Sequence, residues 1–179
     1  MNQQHIYNSI YENNLYYNCN VDYKYNIIVQ FLEKLEGKKI LDAGCGQGWN
    51  LRRILEEGYD AYGIELSNVC CNKYLIGLPH ECNNIIDFAK KNIKFDGLIC
   101  CDVLEHIPHE EVDECIKSLS SMSDRGLIGI ANHSDIQLGY ELHIIQEGEI
   151  SWKTRLLKYY SKVELVFKTH NFYFFECSL

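Results

Sequence analysis

Long apolar runs, positive charge and paired cysteine motifs are all scarce in this chain, and each shortage excludes something. No apolar run approaches the about 18 residues of a membrane-crossing helix, so no span is expected. The first residues are polar and rich in Tyr and Asn, without the charged-then-apolar shape of a secretion signal, and the chain is expected to stay in the cytoplasm. Lys and Arg number 17 against 25 Asp and Glu, a net charge of −8. Nonspecific nucleic-acid affinity comes from Lys and Arg neutralising phosphates, so no nucleic-acid partner is expected. The short pairs Lys38-Lys39, Arg52-Arg53 and Lys90-Lys91 read as strand flanks or solvated helix faces. Nine cysteines, at 19, 45, 70, 71, 82, 100, 101, 115 and 177, form no C-x-x-C pair. Several fall in predicted strands and read as reduced core residues, and the spacing suggests no metal site. There is no internal repeat, and 179 residues with 46% hydrophobic content fit one compact domain, 1–179.

What is present is concentrated in LDAGCGQGWN, Leu41 to Asn50. A short apolar strand ends at Asp42, Gly44, Gly46 and Gly48 alternate, and a helical pattern follows with Leu51, Ile54 and Leu55 on one face. Glycines in such a turn permit positive φ and close approach of backbone to a ligand. Gly58 is a plausible C-cap, and a second strand, Ala61 to Ile64, ends in Glu65. Strand, glycine turn, helix, strand and acid make the first half of a doubly wound sheet, with the acid placed to bind ribose hydroxyls. A nicotinamide or flavin enzyme shares that layout. The dinucleotide fingerprint is G-x-G-x-x-G, however, whereas this chain has G-x-G-x-G with Trp49 where the third glycine should pack. Asp42 beside the helix start also suits a cationic ligand better than a pyrophosphate.

These residues resemble the class I S-adenosylmethionine-dependent methyltransferases, whose first motif is an acid followed by G-x-G-x-G and whose second is an acid ending strand two. FDGLICCDVLEHIP, Phe95 to Pro108, looks like the fourth motif of that family. The periodicity predicts helices over 23–35, 67–76, 87–92, 110–122 and 152–160, and strands over 80–83, 97–101, 127–131, 162–168 and 171–177. The expected fold is α/β, Rossmann-like and doubly wound. It is a mostly parallel seven-stranded sheet closed by a C-terminal antiparallel hairpin, with helices on both faces. Residues 1–36 are expected as an N-terminal lid and helix, and 133–150 as an acceptor-side loop.

The resemblance implies S-adenosylmethionine as cofactor, with S-adenosylhomocysteine as product. Asp42, Gly44, Cys45 and Gly46 would line its methionine end. Glu65 would accept hydrogen bonds from both ribose hydroxyls, and Leu66 would cover the adenine. Asn84, where the family commonly has an acid, would meet the adenine amino group with Ile85 against the ring, and Asp87 competes for that role. Cys101, ending the fourth strand, completes the cofactor set. His106, His133 and His143 fall where the family places its acceptor pocket, and Asp135 is spaced to orient His133 for acceptor binding or base catalysis. Tyr7, Tyr11, Tyr16 and Trp152 are candidates for a lid or ring-stacking surface. The segment NHSDIQLGYELHIIQ resembles small stand-alone methyltransferases of bacterial surface-polysaccharide (capsule) biosynthesis. The expectation is therefore a metal-independent O-methyltransferase, monomeric or homodimeric. Its acceptor would be a small polar molecule, a sugar hydroxyl or a phosphate or phosphoramidate oxygen on a nucleotide-linked precursor. A non-catalytic cofactor-binding regulatory or scaffold module is the alternative.

Overall fold

The computed structural model describes residues 3–13, 15 and 22–179; Tyr16 and Cys19 lie outside them. In chain order the elements are α1 (Gln3–Glu12), α2 (Asp22–Leu32), β1 (Lys39–Ala43), α3 (Trp49–Glu56), β2 (Asp60–Glu65), α4 (Asn68–Tyr74), β3 (His80–Cys82), α5 (Ile85–Ala89) and β4 (Gly97–Cys101). A 3₁₀ turn (Leu104–His106), α6 (Val112–Met122), β5 (Arg125–Ala131), β6 (Ile136–Gln137), β7 (Tyr140–Glu141), α7 (Glu149–Leu156), β8 (Lys162–Lys168) and β9 (Phe172–Ser178) follow. Seven strands form one sheet in the order β3-β2-β1-β4-β5-β9-β8, and only β9 runs against its neighbours. This is the doubly wound sheet with a closing antiparallel hairpin that the sequence predicts.

Both faces of the sheet are covered, which is why the central strands β1, β4 and β5 are buried along most of their length rather than on alternate residues. Leu41, Leu98, Ile128 and Phe175 pack into one apolar cluster with α5, α6 and α7. Their chain neighbours Ile40, Ile99, Leu127 and Phe174 pack into the other with α2, α3 and α4. Each such side chain stabilises the fold by about 1.5–3 kcal/mol. Truncating fully buried Ile99 to Ala would cost about 2–5 kcal/mol, because the cavity left behind adds to the lost transfer energy.

Helix ends follow local chemistry. α3 stops in a Schellman arrangement: Gly58, at φ 85°, donates to Leu55 O (3.0 Å), and Tyr59 N donates to Ile54 O (3.3 Å). α4 is capped by Ser67, whose hydroxyl accepts from Cys70 N at 3.2 Å.

The departures from expectation are local. α1 is a helix that the sequence does not announce, since its Gln, Asn and Tyr content carries little helical signal. α2 ends at Leu32, and Leu35 instead lies over Gly97, where a Cβ would come within 2.3 Å of its Cδ1. α5 spans 85–89 rather than 87–92, because the Asn84 side chain caps it at Asp87 N (2.7 Å). α7 starts three residues earlier than predicted. Trp152 is fully buried in the core rather than forming a lid. Within 133–150, β6 and β7 form a short hairpin whose turn residues Leu138 and Gly139 have φ of 52° and 79°.

Candidate functional site

A cavity of about 620 Å³ opens at the carboxyl ends of β1, β2 and β4. β1 and β4 are neighbours whose connections leave in opposite directions, the place where open α/β sheets bind ligands. Gly44, Cys45, Gly46, Glu65, Leu66, Asn84, Ile85 and Cys101 all line it. α1 supplies another wall through Gln3, Gln4, Tyr7 and Tyr11, which places this stretch of the predicted lid at the site. It is tied to the strand ends: Gln4 Nε2 donates to Leu66 O (2.9 Å) and Ser67 Oγ donates to Asn8 Oδ1 (2.7 Å).

The glycine turn is held against the end of β2. The amides of Gly44 and Cys45 both donate to Ile64 O (2.9 and 3.0 Å), and Gly46 N donates to Glu65 Oε2 (3.0 Å). Gly44 sits at φ 79°, and a Cβ there would come within 2.4 Å of Val103 Cγ2, so the position excludes any side chain on two counts. The second Glu65 oxygen accepts from Ser67 N at 2.8 Å. Each carboxylate oxygen keeps acceptor capacity beyond these bonds. Burial pushes the Glu65 carboxyl up, and these amides pull it back.

Asp42 is placed differently from its expected role. It does not line the cavity; it lies behind the turn, 3% exposed, with the Leu51 backbone amide on its carboxylate and Oδ2 lacking a partner among the described residues. Burial, then the nearby charge of Glu65, push this carboxyl up to about 7. Asn84 lines the cavity, but its amide oxygen accepts from Asp87 N and its Nδ2 donates to Asp87 Oδ2 (both 2.7 Å). The side chain assigned to the adenine is thus occupied as a helix cap.

Three histidine rings form a row. His106 and His143 have ring centroids 4.6 Å apart, and His143 and His133 4.7 Å, all at steep angles. His106 lines the cavity; His133, Asp135 and His143 do not. Asp135 does not orient the His133 ring, since its Oδ1 accepts from Gln137 Nε2 (2.9 Å) while His133 Nδ1 lies 3.1 Å from Ser134 O. The carboxylate that organises this loop is Glu141, which accepts from Asp135 N (2.8 Å), His143 N (3.0 Å) and Ser134 Oγ. Burial, then the adjacent His143, push His106 down to about 3, so its ring is neutral.

Asp102 and Glu105, within DVLEH, carry no role in the sequence reading. Asp102 lines the cavity at φ 56°, with Oδ2 held by Lys24 Nζ (2.5 Å) and Oδ1 buried without a partner among the described residues. Glu105 is fully buried: Oε1 accepts from Ala131 N (2.7 Å) and Oε2 has no partner among the described residues. Burial, then the Asp102 charge, push its carboxyl well above the usual range. The spacing Asp-x-x-Glu-His is the available signal, because it puts three polar side chains on one tight turn.

A cavity at the switch point, a glycine turn and a ribose-distance acid fit several nucleoside-binding families. A family described as "Methyltransferase domain" matches residues 17–174, most of the chain. The chain belongs to the class I S-adenosylmethionine-dependent methyltransferases. Among relatives of this methyltransferase, the magnesium-protoporphyrin O-methyltransferase of Synechocystis sp. is 31% identical over 105 residues, covering 52% of this chain and 44% of that protein. The ubiquinone biosynthesis O-methyltransferase of Alkalilimnicola ehrlichii is 28% identical over 92 residues, covering 45% and 36%. The chain thus spans less than half the length of these curated relatives. The crystal structure of the Synechocystis magnesium protoporphyrin IX methyltransferase with bound S-adenosylmethionine matches 99% of this chain and 97% of that one, at TM-score 0.71 and 19% identity. The Burkholderia thailandensis 1,6-didemethyltoxoflavin-N1-methyltransferase matches 98% and 85%, at TM-score 0.75 and 14% identity. Both likenesses are of fold.

Proposed function

We propose that this methyltransferase transfers the methyl group of S-adenosylmethionine to a hydroxyl oxygen of a small polar acceptor. The observation that carries the reading is the chemistry of the cavity wall beyond the glycine turn. His106 is neutral and places Nδ1 3.0 Å from Leu142 O, so Nδ1 donates and Nε2 carries the lone pair. Beside it, Asp102 Oδ1 is a buried acceptor without a donor among the described residues. These two neighbouring acceptors call for an acceptor molecule that donates hydrogen bonds, and a hydroxyl does. A bare anion would meet the Asp102 carboxylate at close range. The O-methyltransferase names of the relatives point the same way.

Proximity and alignment supply most of the rate in a displacement at sulfonium-bound carbon. The acceptor oxygen bonds to the methyl carbon as the carbon–sulfur bond breaks, the sulfonium becomes the thioether of S-adenosylhomocysteine, and the hydroxyl proton passes to solvent. Glu65 holds the ribose, the glycine turn lies along the methionine portion, and α1 walls the cofactor side of the cavity. The NHSDIQLGYELHIIQ resemblance supports a nucleotide-linked surface-polysaccharide precursor as the acceptor, with a sugar hydroxyl as the methylated group. The test incubates the protein with labelled S-adenosylmethionine and a panel of nucleotide-linked sugars, free sugars and amines. Methyl ethers on hydroxyl acceptors are expected; methyl transfer to nitrogen alone would overturn the reading.

A further inference from the structure

The fold brings Glu105, His106 and His143 together although the last lies far along the chain from the first two. One ligating atom from each falls within 4.8 Å of the others, and all three residues are buried. The loop that carries His143 is pinned to the 3₁₀ turn by Ile145 N donating to Glu105 O (3.0 Å). Both rings are oriented by backbone: His106 Nδ1 lies 3.0 Å from Leu142 O, and His143 Nδ1 lies 2.6 Å from His133 O. With both Nδ1–H groups donating to carbonyls, the Nε2 lone pairs remain. Metal-ligating histidines are oriented in this way by donating their other N–H. Glu105 repeats the arrangement, with Oε1 fixed by Ala131 N and Oε2 buried without a partner among the described residues. An ionisable oxygen so buried is costly unless a cation or donor meets it. The Lys24 ammonium is already engaged by Asp102 Oδ2.

We propose that Glu105, His106 and His143 bind one divalent transition-metal ion at the acceptor end of the cavity. Two imidazoles and a carboxylate suit ions of the Mn²⁺ to Zn²⁺ series rather than Mg²⁺ or Ca²⁺, which take all-oxygen sets. Bonds of about 2.1 Å to one ion draw the ligand atoms together by adjustments of about an ångström. Three protein ligands leave coordination positions open, and the buried, unpartnered Asp102 Oδ1 is nearby in the same turn. Those positions take the acceptor oxygen, which in the metal-bound protein meets the ion in place of the His106 Nε2 lone pair. The ion offsets the Asp102 charge, so a phosphate or phosphoramidate oxygen, disfavoured by the bare carboxylate, becomes an acceptable partner beside a hydroxyl. Spacing in sequence gives no hint of this, since the third ligand arrives from the segment after β5.

The test strips the full-length protein with a chelator and titrates it with Mn²⁺, Co²⁺ and Zn²⁺, following bound metal by elemental analysis and Mn²⁺ by electron paramagnetic resonance. One ion per chain is expected, with affinity lowered at least about tenfold in Glu105→Gln and in His143→Gln. Nitrogen couplings from imidazole on bound Mn²⁺ are expected in the parent protein and need no variant to fold. No binding at millimolar metal, binding unchanged in both folded variants, or an ion without nitrogen couplings would overturn the proposal. Calorimetric binding of S-adenosylhomocysteine to the stripped protein separates this outcome from failure of the methyltransferase reading, which needs no metal for cofactor affinity.

Discussion

Replacing Asp42 by Asn is expected to stabilise the ligand-free protein at mildly alkaline pH, although Asp42 sits in the most diagnostic motif of the chain. Its carboxyl is buried beside Glu65, and its proton is held up to about 7 against an ordinary value of 3.8. Between those values the folded state binds more protons than the unfolded one, so stability falls as pH rises through the window. The rise corresponds to a penalty on the charged form of at most about 4 kcal/mol, and solvent relaxation makes about 2 kcal/mol the working figure. Asn keeps an acceptor for the Leu51 amide and removes the charge, while its unpaired amide hydrogen costs about 1 kcal/mol. The expected net gain of about 1–2 kcal/mol above pH 8 raises Tm by roughly 2–8 °C for a chain of this size. Below pH 5 the parent side chain is already neutral, and the same substitution is expected to gain nothing or to lose slightly. Thermal unfolding of both proteins across this pH range, at fixed salt and without cofactor, reads the difference directly. An effect of Asp42→Asn that is equal in size at both ends of the range would refute the argument that a buried, uncompensated charge is carried there.

Removing the Glu65 carboxylate in Glu65→Ala takes away the acceptor for Gly46 N, Ser67 N and the ribose, and calorimetry is expected to show S-adenosylhomocysteine affinity weaker by about 2–3 kcal/mol. Gly44→Ala forces a side chain into a left-handed backbone position and against Val103, and denaturant unfolding should show a loss of about 2–4 kcal/mol together with loss of cofactor binding. His133→Ala should leave cofactor affinity unchanged, because the ring lies outside the cavity, and any fall in turnover would have to come through the row of rings to His106. Lys24→Ala leaves Asp102 without its cation and is expected to destabilise the fold by about 1–3 kcal/mol in denaturant titrations.

The features legible in the sequence share a local origin. The glycine turn, the acid at the end of β2, the Ser67 cap and the apolar strands each announce themselves within a few residues, because backbone conformation and strand burial are written locally. Asn84 marks the limit of that kind of reading: its position beside the cavity is legible, but its oxygen is spent on capping α5, which only the geometry shows. The row of His106, His143 and His133 marks it further. All three stand out in the sequence, yet the pairing of His133 with Asp135 rests on adjacency, whereas Glu141 is the carboxylate that ties this loop. The Asp-x-x-Glu-His spacing puts Glu105 on a polar turn, but its partnership with His143 depends on the segment after β5, whose approach sequence spacing cannot measure. α1 escapes for a different reason, since its residues gain their helical order from packing on α4 and the cavity rim rather than from propensity.

Calorimetric titration of the purified protein with S-adenosylhomocysteine, with NAD as a matched control, reads whether the switch-point cavity is an S-adenosylmethionine site. One selective site per chain for S-adenosylhomocysteine and no measurable heat with NAD are expected. Equal binding of both, or binding of neither by folded protein, would remove the cofactor assignment.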